Sequence, residues 1–391
     1  DILMKNKKGL LTLVIIFIAA NLRGPLTMVG PLIPYLKKSF TCDDSIFGLL
    51  TSIPLLGFAV ISIIAPKIDN KFGKKATIKG SLILIIIGLI VRSLGLVSTL
   101  FIGSILLAIG IGISNVVLPS VIVENSKKDE VGKLTGTFTM TMGLFSAVGS
   151  GSSIFLYSIL GWRLTFEAFI ITTAIALALW IVFSKNMNKK GEKTNQENDI
   201  KISTMLKSKL VIAIALFMGI QSWIAYAIFA WVPSILINRG VSASFSALAL
   251  MTIQLCSMPT MYIIPIIAGK KKSQSKFVTL TTIISLIGCL SLFTTNIPTL
   301  IIGVVLMGLG QGASLSFAYL FFAVRSKSSA ETSALSGISQ AIGYFLGATG
   351  PILFGSIHDI TNSWTSSLIL MIFMHIILLL VGIISGRDRK I

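Results

Sequence analysis

Charge is what this chain has least of. Asp, Glu, Lys and Arg together make up 12% of its 391 residues, against roughly 25% in a water-soluble domain. Acid is the scarcer sign, with 14 Asp and Glu against 33 Lys and Arg and a net charge of +19. Two histidines and three cysteines leave almost no material for a metal centre or a hydrolytic triad, and neither G-x-S-x-G nor H-E-x-x-H occurs. Cys42, Cys256 and Cys289 fall in different segments, two of them inside apolar runs, so no disulfide framework is implied. The expectation is a protein that is not an enzyme and holds no cofactor or metal. What the chain has in abundance is apolar surface: 54% hydrophobic residues and a mean hydropathy of +0.91. No soluble fold buries that much, so the chain reads as an all-α membrane protein of many spans. Its excess of Lys and Arg then marks cytoplasmic loops and not a nucleic-acid surface.

Apolar runs of spanning length fall at about 10–35, 45–66, 76–97, 98–123, 133–158 and 162–184, then at about 209–237, 243–268, 276–296, 298–323, 331–357 and 363–386. The first reads as a span and not as a cleaved leader. Charge tests the count independently. With the N-terminus inside, 27 of the 33 Lys and Arg fall on the cytoplasmic side and four on the other, with Arg23 and Arg92 left inside spans. Twelve spans with both termini cytoplasmic follow.

The longest polar stretch separates six spans from six. It divides the chain into 1–184, a solvated linker at 185–208, and 209–391. The halves echo each other. Gly110-Ile-Gly112 in span 4 precedes Leu134-Thr-Gly136 at the start of span 5. Likewise Gly308-Leu-Gly310-Gln-Gly312 in span 10 precedes Leu335-Ser-Gly337 at the start of span 11. Two six-helix halves of this kind describe the major facilitator fold, with a solute site near mid-membrane between them.

Short segments along nearly the whole chain carry a more specific resemblance. In the first half they are Asn21-Leu-Arg23, Asn115-Val-Val-Leu-Pro119 and Gly161-Trp-Arg163. In the second half they are Gly219-Ile-Gln221-Ser222, Ala230-Trp-Val-Pro233, Gly308-Leu-Gly-Gln311-Gly312, Leu335 to Tyr344, Gly350-Pro351 and His358-Asp359 with Trp364. In order and spacing the chain resembles the cyanate permease and nitroimidazole transporter (CynX/NimT) family of the major facilitator superfamily. Two departures stand out. Gly24 separates Arg23 from Pro25 where family members often read Asn-Leu-Arg-Pro. The loop after span 2, Pro66-Lys-Ile-Asp69-Asn-Lys71-Phe-Gly73-Lys74-Lys75, carries its Asp one residue early. The resemblance implies a gating role for Asp69, Lys71 and Gly73, although Lys74 and Lys75 also read as ordinary positive-inside lysines.

Arg23 is the sharpest single feature. It lies near the centre of span 1, where a charge costs at least ~2.5–3.5 kcal/mol. Pro25 removes the amide partner of the Asn21 carbonyl, and Gly24 permits bending. A helix broken there suits an anionic group. The alternative is a structural ion pair, but the sequence places no carboxylate at that depth; Glu124 and Glu167 lie at span ends. Arg92, near the outer end of span 3, reads as a snorkelling or helix-capping residue, and His375 as a hydrogen-bonded histidine.

Polar uncharged residues gather on the spans expected to line the path: Asn21, Asn115, Gln221, Tyr226, Gln254, Gln311, Gln340 and Tyr344. Gln340 and Tyr344 share one helix face. An amide in hydrocarbon needs a partner, and an interhelical bond serves any single one as well as a solute does. Gly143, Gly149, Gly151, Gly343 and Gly347 read as close-packing positions, and Trp231 as an interfacial belt residue.

The expectation is a secondary transporter of a small polar or anionic solute: cyanate-like, an organic anion or a small heterocycle. It sits as a monomer in a bacterial cell membrane and is served by alternating access, with a co-transported proton as a further partner. The alternative is an efflux antiporter of drugs or heterocycles. Against it, the segment from Gly143 to Gly151 lacks the Gly-Pro typical of such proteins, and no acidic residue is central.

Overall fold

The protein is described by a computed structural model covering residues 2–40, 44–185, 187 and 202–391. Most of the predicted linker, and Cys42, lie outside the described residues. The chain is helical almost throughout: α1 (Ile2–Thr27), α2 (Val29–Ser39), α3 (Asp44–Arg92), α4 (Val97–Asn125), α5 (Val131–Glu167), α6 (Phe169–Lys185), α7 (Ile202–Met205), α8 (Lys209–Asn238), α9 (Ala243–Gly269), α10 (Ser275–Leu290), α11 (Ile297–Arg325), α12 (Ser329–Thr361) and α13 (Trp364–Ser385). Eight described segments are long and apolar enough by composition to cross a membrane. Large apolar side chains such as Ile102, Phe155, Ile171 and Ile302 stand exposed on them, which suits a hydrocarbon solvent.

The twelve-span pattern appears once two long helices are divided at their breaks. Gly73 interrupts α3 with φ 76°, and Gly161 interrupts α5 with φ 73°. Both lie in the left-handed region, which glycine enters without Cβ strain. Two boundaries differ from the sequence expectation, and the one between spans 5 and 6 falls within the expected interval. Span 1 does not break at Pro25: the helix ladder is interrupted only at Met28, between α1 and α2, and Met28 itself keeps helical dihedrals (φ −69°, ψ −18°) and donates its amide to the Gly24 carbonyl at 3.2 Å. The helix passes through Pro25 because the proline leaves only one carbonyl, that of Asn21, without its amide partner. Span 3 ends at Arg92 instead of residue 97, because the chain turns through Gly95 at φ 98° before α4 begins. Span 5 continues to Gly161.

Two compact units share the chain. The first comprises Asp1–Ser126, Thr141–Lys201 and Ser328–Gly337; the second comprises Lys127–Met140, Ile202–Lys327 and Ile338–Ile391. The first turns of α5 therefore belong with the second unit, and those of α12 with the first. Glycine accounts for both placements. A Cβ on Gly136 would sit 2.6 Å from the carbonyl oxygen of Tyr262 in α9, and one on Gly337 would sit 2.7 Å from Cγ of Pro66 in α3.

A further echo between the halves, outside the motifs read from the sequence, lies in the packing. In the first unit a Cβ on Gly88 would lie 2.7 Å from the Leu107 amide nitrogen and 2.9 Å from the Gly103 carbonyl oxygen. In the second, a Cβ on Gly288 would lie 2.7 Å from the Met307 amide nitrogen and 2.8 Å from the Gly303 carbonyl oxygen. The same helix–helix approach is thus built twice, 200 residues apart, from small residues that let backbones touch.

Candidate functional site

In the first unit the candidate residues sit on α1, α3 and α4. Arg23 is half-buried one residue before Gly24-Pro25, and its carbonyl accepts a bond from Thr27 Oγ1 at 3.3 Å. Asn21, two residues earlier, is fully buried. Its Nδ2 donates to the Phe17 carbonyl at 2.6 Å, and its Oδ1 accepts from both Thr172 and Thr173 of α6 at 2.8 Å. The sequence expectation grouped Asn21 with the solute ligands; the structure commits its polar atoms to helix α6. Thr27 Oγ1 also donates to the Ser146 carbonyl of α5 at 2.9 Å, and Gly24 packs beside Phe145 and Gly149 of the same helix. The backbone around Arg23 is therefore fastened on several sides. Asn115 is buried on α4 beside Ser114, whose hydroxyl lies 2.6 Å from that of Ser81 on α3.

Arg92 departs from the snorkelling picture. It is 1% exposed, donates from Nη1 to the Pro25 carbonyl at 3.0 Å, and lays its guanidinium 4.2 Å from the ring centre of Phe166. A capping role remains, but the capped carbonyl belongs to span 1.

Asp69, Lys71 and Gly73, expected at the gate, occupy the turn within α3. Asp69 is buried, with Lys74 Nζ 3.1 Å from its Oδ2, and the same nitrogen stands 3.4 Å from Glu124 of α4. Burial holds the Asp69 carboxyl above the usual carboxylate range. Lys74 opposes that shift and Glu124 adds to it. Gly73 forms the break itself, while Lys71 is exposed with its ammonium 5.3 Å from the Phe72 ring centre.

In the second unit the candidates lie on α8, α9, α11 and α12. Gln221 is buried, and its Nε2 donates to the Met218 carbonyl at 3.2 Å and to Ser222 Oγ at 2.9 Å. Tyr226 is half-buried against Gly347. α12 approaches α8 closely along Gly343, Gly347 and Gly350, which meet Met218, Tyr226 and Trp223. By contrast Gly151 of α5 faces open space, so it is not a packing position. Gln254 is half-buried on α9. Gln340 is fully buried and its Oε1 accepts from the Tyr319 hydroxyl at 3.4 Å, with Tyr344 buried one turn on. Tyr319 also meets the Phe138 ring edge-on at 4.9 Å. Gln311 is 6% exposed, and its Oε1 has no hydrogen-bond partner among the described residues. A buried amide oxygen left this way calls for a donor from elsewhere.

His375 lies buried between the Met371 carbonyl, 2.9 Å from Nδ1, and the Ser285 hydroxyl, 3.0 Å from Nε2. Both ring nitrogens are engaged structurally, as expected. Trp231 donates to the Pro351 carbonyl at 2.8 Å. Among the described residues no cluster of His, Cys, Asp and Glu is arranged to hold a metal. Sequence reasoning overlooked Tyr319, Thr172 and Thr173. Each is an ordinary hydroxyl in a span, and only its partner gives it significance.

A profile of the Major Facilitator Superfamily matches residues 11–280. The chain belongs to this superfamily. It is 34% identical over 380 residues to the "Uncharacterized transporter YycB" of Bacillus subtilis (strain 168), an alignment covering 96% of this chain and 93% of that one. It is 30% identical over 378 residues to the 2-nitroimidazole transporter of Escherichia coli (strain K12), covering 96% and 95%. It is 26% identical over 368 residues to the cyanate transport protein CynX of the same organism, covering 90% and 91%. These relatives bear out the resemblance to the cyanate and nitroimidazole transporters. The crystal structure of the E. coli fucose:proton symporter FucP superposes with a TM-score of 0.77 at 13% identity over 98% of each chain. The proton:xylose symporter XylE does so at 0.72 and 14%, over 99% and 97%. At such identities the likeness speaks for the fold alone. The protein is a multi-pass membrane transporter of the major facilitator superfamily.

Proposed function

We propose that this transporter carries a small anion, or a small polar heterocycle, across the bacterial cell membrane by alternating access, with both termini cytoplasmic. Arg23 is the anion-binding group. Asn115, Gln221, Tyr226, Gln254, Gln311, Gln340 and Tyr344 line the path, and Asp69, Lys71 and Gly73 belong to the cytoplasmic gate. The observation that carries the reading is the guanidinium of Arg23, half-buried in the middle of span 1 on a backbone fastened to its neighbours. A fixed cation at that depth is worth its desolvation cost where an anion meets it. The partnerless Oε1 of Gln311 supports a solute that also donates a hydrogen bond. The names of two relatives, a cyanate transport protein and a 2-nitroimidazole transporter, supply the two probes. Export of neutral heterocycles is the second reading, favoured by the higher identity to the 2-nitroimidazole transporter.

A thermal-shift screen of the purified protein against cyanate, 2-nitroimidazole, formate and benzoate tests the class. A ligand at a hundred times its Kd stabilises the folded state by about 2.7 kcal/mol. Arg23→Ala should abolish the shift for anions, and Arg23→Lys should restore only part of it, because lysine lacks the planar two-donor fork. An anion that still stabilises Arg23→Ala fully would refute the assignment. A shift from 2-nitroimidazole alone would favour the second reading.

A further inference from the structure

The stretch where α1 passes into α2 has an unusual fastening. Residues 21–28 are tied to α6 through Asn21, to α5 through Thr27, and to α3 through Arg92. The first two ties use neutral groups. The third uses a full positive charge, 1% exposed, with Nε and Nη2 buried and without hydrogen-bond partners, and no ion pair to it occurs among the described residues. A charge inside a membrane segment is costly to keep, and a neutral amide would suffice to cap one carbonyl. Where Arg92 acts is therefore informative. Its Nη1 grips the carbonyl of Pro25, two residues past Arg23 and three before the interruption at Met28. Its guanidinium carbon stands 4.2 Å from the Phe166 ring centre, a cation–π contact that helps hold the group in place.

We propose that Arg92 is a positioning residue for solute binding. By holding the Pro25 carbonyl it fixes the backbone where α1 passes into α2, and so fixes the direction in which Arg23 presents its guanidinium. The charge matters because a charge-assisted hydrogen bond is roughly twice as strong as a neutral one. Tyr, Trp or Gln at this place would hold that backbone more loosely. This proposal rests on the reading of Arg23 as the anion-binding group, so its test needs one readout that involves no solute.

Replace Cys42, Cys256 and Cys289 by serine, introduce Leu26→Cys at the half-buried position beside Pro25, and follow its alkylation by N-ethylmaleimide in membranes. Arg92→Gln should speed alkylation by about tenfold, the change in open population expected on losing one charge-assisted bond. Arg92→Lys, which keeps a charged donor, should stay within a few fold of the parent. In uptake of cyanate, or of 2-nitroimidazole if that is the probe bound, Arg92→Gln should raise KM by a similar factor with the maximal rate little changed. An unchanged alkylation rate in folded Arg92→Gln overturns the proposal. Faster alkylation with an unaltered KM overturns it too, leaving Arg92 a purely structural brace. Should Arg92→Gln fail to fold, Phe166→Leu removes the ring beneath the guanidinium, and a shift in the same direction is required of it. If Arg23→Ala transports normally, the reading of Arg23 falls, while the alkylation rates still decide whether Arg92 fixes that backbone.

Discussion

Asn21→Ala separates a fastening from a ligand. The Asn21 side-chain oxygen Oδ1 accepts two hydroxyl bonds from α6, each 2.8 Å long. Interhelical hydrogen bonds in membranes contribute about 0.6 kcal/mol on average and about 1.7 at most, so losing both costs ~1–2 kcal/mol. The larger penalty of ~1–3 kcal/mol for each orphaned buried group does not apply. Thr172 and Thr173 fall back on the Phe169 carbonyl, which they already reach at 2.9 and 2.7 Å. The expected change is therefore a fall of a few degrees in melting temperature and not unfolding. Melting in detergent should be measured for Asn21→Ala, for the pair Thr172→Val with Thr173→Val, and for all three together. The cycle should return a coupling of ~1 kcal/mol. Solute binding should be weakened only as far as Arg23 is displaced. An Asn21→Ala variant that melts with the parent, shows no coupling and loses binding outright would refute the reasoning and return Asn21 to the list of solute ligands.

The repeated glycine contacts predict a matched pair. Gly88→Ala and Gly288→Ala should each lower stability by ~1–3 kcal/mol, because the new methyl meets backbone that cannot move alone; Gly80→Ala, with nothing within 4 Å of the added carbon, should leave stability unchanged or raise it by up to ~1 kcal/mol. Unequal effects of the first two, read as melting temperatures, would deny that the two units share this packing. Asp69 predicts a pH dependence. Burial raises its folded pKa above the unfolded value, so the native state binds the proton more tightly than the unfolded chain does. Its contribution therefore falls as pH rises from the ordinary carboxylate range through the raised value. Melting temperature should decline across that interval in the parent, and Asp69→Asn should flatten this component; an equal slope in both variants would exclude Asp69 as its source.

The span pattern was legible because hydrocarbon is an unforgiving solvent. Each crossing must be apolar for about 20 residues, and lysines mark the cytoplasmic side. Those are properties of local composition. Helix breaks were legible only in part. Gly161 fell where a break was expected, and Gly73 in an expected loop, whereas the helix runs through the Gly24-Pro25 pair and its ladder is interrupted only at Met28. A missing amide weakens a helix but does not say where neighbours will hold it.

Site residues were the least legible, and Asn21 and Arg92 show why. Sequence registers that a polar side chain lies in hydrocarbon and must be satisfied. It does not register by whom. Asn21 is satisfied by two threonines 151 and 152 residues away, and Arg92 is held, through one of its three nitrogens, by a proline carbonyl 67 residues earlier together with a phenylalanine ring. Solute and neighbouring helix offer the same hydrogen bonds, so polarity alone cannot rank them. Gln311 is the informative contrast: it is buried like Asn21, yet its amide oxygen meets no donor among the described residues. For a buried polar group in a membrane, a bond left unmade is the better guide to a ligand than the group's presence.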